Sequence, residues 1–151
     1  MGGNIIVDAG LKRSIILDNY QDARNRGIPN ESGYIKINSN NDSCIDNIDI
    51  YVKLKDDIIE DIKFEGEACV IAISSTSILS ELLIGKNINE VNTILRNYYN
   101  MIEEKDYDEN ILEELNAYVD ISKQPNRKKC ATLPFDAILK AINIYKKNSI
   151  K

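Results

Sequence analysis

The stretch that most constrains this chain is Ile58–Gly85, IIEDIKFEGEACVIAISSTSILSELLIG. In its first half, apolar Ile62 and Phe64 sit among polar Asp61, Lys63 and Glu65. That is the period of two expected of a strand with one buried face. Gly66 predicts a turn. From Cys69 onward the period changes. Ile71, Ser75, Ile78, Leu79 and Leu82 recur at helical spacing, and Gly85 supplies a stop. A strand that feeds a helix in this way delivers the Cys69 thiol to a helix start.

The preceding residues supply strand partners. Ile48, Ile50, Val52 and Leu54 alternate with Asp49, Tyr51, Lys53 and Lys55, and Asp56-Asp57 reads as a tight turn. Tyr34–Asn38 reads as a shorter strand. Leu11–Tyr20 has the pattern of an amphipathic helix, and Arg24–Gly27 reads as a basic, solvated loop. Asn87 or Asn89 can cap a helix that carries Val91, Ile94, Leu95, Tyr98 and Ile102. Ile111, Leu112, Leu115 and Tyr118 mark another, broken near Pro125. A last helix is expected from about Thr132 to Lys147, with Pro134 in its first turn and Cys130 just before its start. The fold class that follows is α+β: a small antiparallel sheet of about three strands packed against several helices. At 151 residues, with no linker or repeat, residues 1–151 read as one domain.

Composition removes several functions. Net charge is −5, which weighs against nucleic acid as a partner, because phosphate binding needs a concentrated basic face. The one basic cluster, Arg127-Lys128-Lys129, abuts a cysteine. The apolar runs are short and interrupted by charge, so no membrane span is expected, and no export signal is evident. A cytoplasmic, reducing setting is therefore expected, in which the three cysteines remain thiols. There is no histidine. Ser–His–Asp and Cys–His catalysis are excluded, as is every metal site that needs imidazole.

Cys44 and Asp46 lie two residues apart on a polar loop, Cys69 follows 25 residues after Cys44, and Cys130 another 61 later. Three thiolates and a carboxylate make the four ligands that tetrahedral zinc accepts. The spacing alone leaves two readings open. The thiols can share an ion, or they can be small buried apolar groups, as free cysteines often are. A helix start at Cys69 and at Cys130 would favour thiolate at both.

Taken together, ILDNYQDARNRG (16–27), CID (44–46), DIKFEGEAC (61–69), SSTSILSELLIGK (74–86) and RKKCATLPFDAI (127–138) resemble the SufU branch of the U-type iron–sulfur assembly proteins, which also include IscU and NifU N-terminal domains. Two features resemble SufU in particular. The segment between the second and third cysteines is long, and Lys129 stands where IscU-like chains carry a histidine. The resemblance implies zinc held by Cys44, Asp46, Cys69 and Cys130. It implies that Cys44 accepts persulfide sulfur from a PLP-dependent, SufS-type cysteine desulfurase, with Arg127 important for that activity. Other iron–sulfur assembly proteins are implied as further partners.

One departure bears on the site. The family motif is Cys-Gly-Asp, and Ile45 replaces the glycine. If that position has positive φ, a β-branched residue is costly there, so either the loop is rearranged or Asp46 does not reach the metal. Three functions are therefore carried forward: a zinc-dependent sulfurtransferase, a scaffold that assembles iron or a [2Fe–2S] cluster on the same residues, and a domain whose metal is structural only.

Overall fold

The computed structural model describes residues 8–40 and 46–149. Cys44 and Ile45 lie outside the described residues. Helix α1 (Ala9–Gln21) is followed by strands β1 (Ile35–Asn40), β2 (Asn47–Lys55) and β3 (Ile58–Glu67). Helices α2 (Val70–Leu83) and α3 (Ile88–Ile102) come next, then two 3-10 segments (Glu109–Ile111 and Glu113–Lys123) and helix α4 (Pro125–Ser149). The sheet is antiparallel in the order β1-β2-β3, so the α+β class holds.

The register follows from the alternation. Ile50 stands opposite both Ile37 and Phe64, and Val52 opposite Ile62. All five are buried and form the sheet side of the core. Asp56 and Asp57 make the two-residue turn, with φ of 53° and 62°. Two successive left-handed residues match the twist of a tight hairpin, and aspartate tolerates that region better than most residues.

The expected turn at Gly66 is not there. β3 runs through Gly66 to Glu67. Gly66 has φ +144°, and a Cβ built on it would lie 2.3 Å from the carbonyl oxygen of Asn47. The glycine is needed for close approach between strands rather than for reversal.

The far edge of β3 is covered by two loops. Gly27 donates its N–H to the Phe64 carbonyl at 2.7 Å, and Phe64 donates to Asn25 at 3.1 Å. Gly85 donates to Ile59, and Ile59 to Lys86. The Arg24–Gly27 run is thus more than a solvated turn. Arg26 bonds the Glu65 carboxylate and the Gly66 carbonyl across the strand end.

α2 is the central helix. Ala72, Ile73, Ile78, Leu79 and Leu83 are buried, and so are Ser74, Ser75, Thr76, Ser77 and Ser80. Burying hydroxyls is costly unless they are bonded. Here Thr76 donates to the Ala72 carbonyl, and Ser77 donates to Asn19 of α1, both within 2.8 Å. Asn87 caps α3 in a reciprocal box with Glu90.

Two expectations about the C-terminal third fail. The helix expected around Ile111–Val119 is instead 3-10. The last helix begins at Pro125 rather than near Thr132. Proline at the first helical position gives up an N–H that has no intrahelical partner anyway, so Pro125 starts this helix instead of breaking the one before. Pro134 consequently lies in the helix interior. Among the described residues, no helix is long and apolar enough to cross a membrane.

Candidate metal centre

The site forms where the hairpin, the mouth of α2 and the Cys130 turn of α4 meet. Asn47 pairs with Glu67, so the residue before β2, Asp46, arrives beside the residues that follow β3. The missing side chain at Gly66 lets the two strands come this close.

Asp46 is 2% exposed. Its Oδ1 accepts the backbone N–H of Cys69 at 2.8 Å, and its Oδ2 lies 4.0 Å from the Cys69 Sγ. Cys69 is the N-cap of α2, with φ −70° and ψ 169°, and its side chain makes no capping bond. The carboxylate of Asp46 therefore satisfies the main-chain N–H of the N-cap residue itself, a role that in a capping box falls to the side chain at the third helical position. The Cys69 sulfur is left facing the site, half-buried.

Cys130 comes from the opposite side. It sits inside α4, well past the helix start at Pro125, and is 2% exposed. The expectation that it precedes a helix start, and gains thiolate character from the helix end, is corrected. Burial, and then hydrogen bonding with Asp46 and Cys69, push its thiol well above the ordinary range.

One carboxylate oxygen of Asp46 and the sulfurs of Cys69 and Cys130 all lie within 4.8 Å of one another. Asp46 thus reaches the two thiols despite Ile45. Arg127 stands on α4 one turn before Cys130, exposed, with its N–H bonded to the Gln124 carbonyl. Lys128 pairs with Glu103 at 3.6 Å. Cys44 lies outside the described residues, so only three of the four expected ligands can be placed.

The donor chemistry suits zinc. A buried carboxylate and two sulfurs converge, and among the described residues no lysine or arginine forms an ion pair with Asp46. Two thiols that can give up their protons to a metal ion, beside a carboxylate, make a donor set for a cation, and mixed sulfur and oxygen ligands lie within the range of Zn²⁺.

Sequence reasoning placed two tyrosines on apolar helix faces but gave them no part in the site. Tyr98 and Tyr118 are fully buried, and their hydroxyls are bonded to the helices that carry Cys130 and Cys69. Their spacing predicts burial, but nothing in the sequence indicates where the hydroxyls find partners.

Known proteins share this sequence and this fold. The model of the NifU-like N terminal domain matches residues 11–151. The chain is 39% identical over 133 residues to the zinc-dependent sulfurtransferase SufU of Bacillus subtilis, covering 87% of this chain and 89% of that protein. It is 32% identical over 127 residues to the iron–sulfur cluster assembly scaffold protein IscU of Thermotoga maritima, covering 84% and 89%. Among solved structures, a putative iron–sulfur cluster assembly scaffold protein for the SUF system from Fervidobacterium islandicum superposes with a TM-score of 0.75 at 30% identity, over 93% of this chain and 98% of that one. A NifU-like N-terminal protein from Brucella abortus shares the fold, with a TM-score of 0.81 at 19% identity over 93% and 99%. The chain belongs to the family of NifU-like N-terminal domains, among relatives named for iron–sulfur cluster assembly.

Proposed function

We propose that this chain is a zinc-dependent sulfur acceptor of iron–sulfur cluster assembly, taking persulfide sulfur from a PLP-dependent cysteine desulfurase of the SufS type. The observation that carries the reading is the convergence of Asp46, Cys69 and Cys130 within 4.8 Å, with Cys44 two residues before Asp46 in the sequence. The similarity to the Bacillus subtilis protein supports it.

In this reading Cys44, Asp46, Cys69 and Cys130 hold one zinc ion. Bound there, zinc supplies Lewis acidity that keeps the thiols deprotonated at neutral pH. The chain's own residues do the rest. Cys69, at the mouth of α2, and Cys130, within α4, hold their positions. Cys44 is the acceptor. Its thiolate attacks the outer sulfur of the desulfurase persulfide, forming a new S–S bond as the old one breaks. The desulfurase sulfur leaves as thiolate, and the proton stays on the transferred sulfur, so no external oxidant or reductant is needed. Arg127, exposed on α4 one turn before Cys130, supplies positive charge during transfer.

Two measurements on the purified protein test this. Metal analysis should find one zinc per chain with three thiols slow to react. A sulfide-release assay with a SufS-type desulfurase should show stimulation that is lost in Cys44→Ala. Full stimulation by C44A would refute the assignment of Cys44.

The second reading, a scaffold for a [2Fe–2S] cluster, is favoured by the IscU relatives. It predicts a transferable cluster after anaerobic reconstitution with iron and sulfide. The absence of histidine favours the sulfur-acceptor reading over it, because the imidazole ligand of an IscU-type set is missing.

A further inference from the structure

Two buried tyrosines stand between the helices that present the two fixed thiols. Tyr98, on α3, donates its hydroxyl proton to the carbonyl of Ala131 at 2.8 Å. Ala131 directly follows Cys130. Tyr118, in the second 3-10 segment, donates to the Ser74 hydroxyl at 2.6 Å, and Ser74 in turn donates to the Ile71 carbonyl at 3.3 Å. Ser74 and Ile71 belong to the first turns of α2, just after Cys69. The two rings meet edge to face, with centroids 6.5 Å apart and planes at 84°. Both residues have no accessible surface. The path from the Cys69 helix to the Cys130 helix thus runs through Ser74, Tyr118, Tyr98 and Ala131, with no water-exposed link.

The bond to Ala131 falls one residue past the carbonyl that Pro134 leaves without a helical donor. Pro134 has no N–H to donate to residue 130, four positions back, and its ring crowds that carbonyl. The turn that presents Cys130 therefore lacks one rung of its own ladder, and an external donor at the next carbonyl can set its position.

We propose that Tyr98 and Tyr118 are positioning residues for the metal centre, joining the turns that carry Cys69 and Cys130 so that the two sulfurs keep their spacing. The proposal rests on the reading of the site as a zinc centre. Metal sites are sensitive to the groups behind their ligands, whose loss commonly weakens affinity 10- to 100-fold. Edge-to-face rings add a geometric constraint of their own.

Tyr98→Phe and Tyr118→Phe remove only the hydroxyls and keep the rings. Zinc affinity is measured by chelator competition, ligand-field absorption by cobalt substitution, and stability by urea unfolding of the metal-free chain. Thr76→Val, which deletes a buried hydroxyl bonded within α2, is the control. Each tyrosine variant should weaken zinc binding by roughly tenfold and shift the cobalt spectrum, while T76V lowers stability without either change. Ser74→Ala should reproduce Y118F, and the pair S74A/Y118F should be no weaker than Y118F alone. Unchanged affinity and cobalt spectrum in both tyrosine variants would overturn the positioning role, as would an equal loss in T76V. If the wild-type chain itself binds no zinc, the reading of the site fails first, which separates the two failures.

Discussion

Cys69 and Cys130 converge on the same carboxylate but are placed by opposite means. Cys69 ends a loop and caps a helix. Its main-chain N–H is held by Asp46, and its sulfur remains half-buried. Cys130 lies within a helix, buried, in a turn whose regular bonding Pro134 interrupts. The first position comes from local geometry, since strand, glycine and helix mouth occupy consecutive residues. The second comes from packing, since Cys130 reaches the site only because α4 lies against the rest of the core. A ligand fixed locally should respond to changes at the hairpin, and one fixed by packing should respond to changes in α4.

The sharpest break in this comparison is Gly66→Ala. The added methyl meets the Asn47 carbonyl at 2.3 Å, on a backbone with φ +144°. Overpacking and left-handed strain together should cost about 3 kcal/mol of metal-free stability, read by urea unfolding, and should separate Asp46 from Cys69. An unfolding midpoint equal to wild type would show that the strands have room to part.

Asp46→Ala comes next. It removes the acceptor for the Cys69 N–H, and losing a bond to a charged group should cost about 2 kcal/mol in the metal-free chain. Asp46→Asn keeps an oxygen acceptor and should recover most of that stability while zinc affinity stays low. Equal stability of D46A and D46N would mean that the bond to Cys69 contributes nothing.

The smallest expected effect is Pro134→Ala. It restores a helix N–H and relieves crowding, offset by a freer unfolded chain, so metal-free stability should rise by about 1 kcal/mol. Zinc affinity should fall, because the Cys130 turn becomes regular. A P134A protein that is both less stable and unchanged in zinc binding would refute the account of that turn.

The same contrast explains which parts of the molecule were legible in the sequence. The hairpin, α2 and the capped α3 follow from alternation, from helical spacing and from the Asn87–Glu90 box, all of which act within a few residues. Cys69 at a helix mouth belongs to this class. The start of α4 was not legible, because Pro125 serves equally as a breaker or as a first helical residue. The choice depends on what the helix packs against. The segment Glu113–Lys123 carries helical apolar spacing yet winds as 3-10, beginning at Glu113 with φ 48°. Asp46 was legible as a candidate only. What brings it to the thiols is the strand register and the bare Cα of Gly66, which operate across the sheet rather than along the chain.

The bond between Asp46 and the Cys69 N–H also sets a limit on distance. Asp46 is moored at the mouth of α2, and Cys44 is two peptide units away along the chain. Two extended residues span at most ~7 Å, and that is the covalent reach of two peptide units from this mooring. For the sulfur relay proposed above, so short a covalent reach rules out carrying sulfur to a distant acceptor: a partner would have to bring its own sulfur atom to this site, and a later recipient would have to come to the same place to collect it.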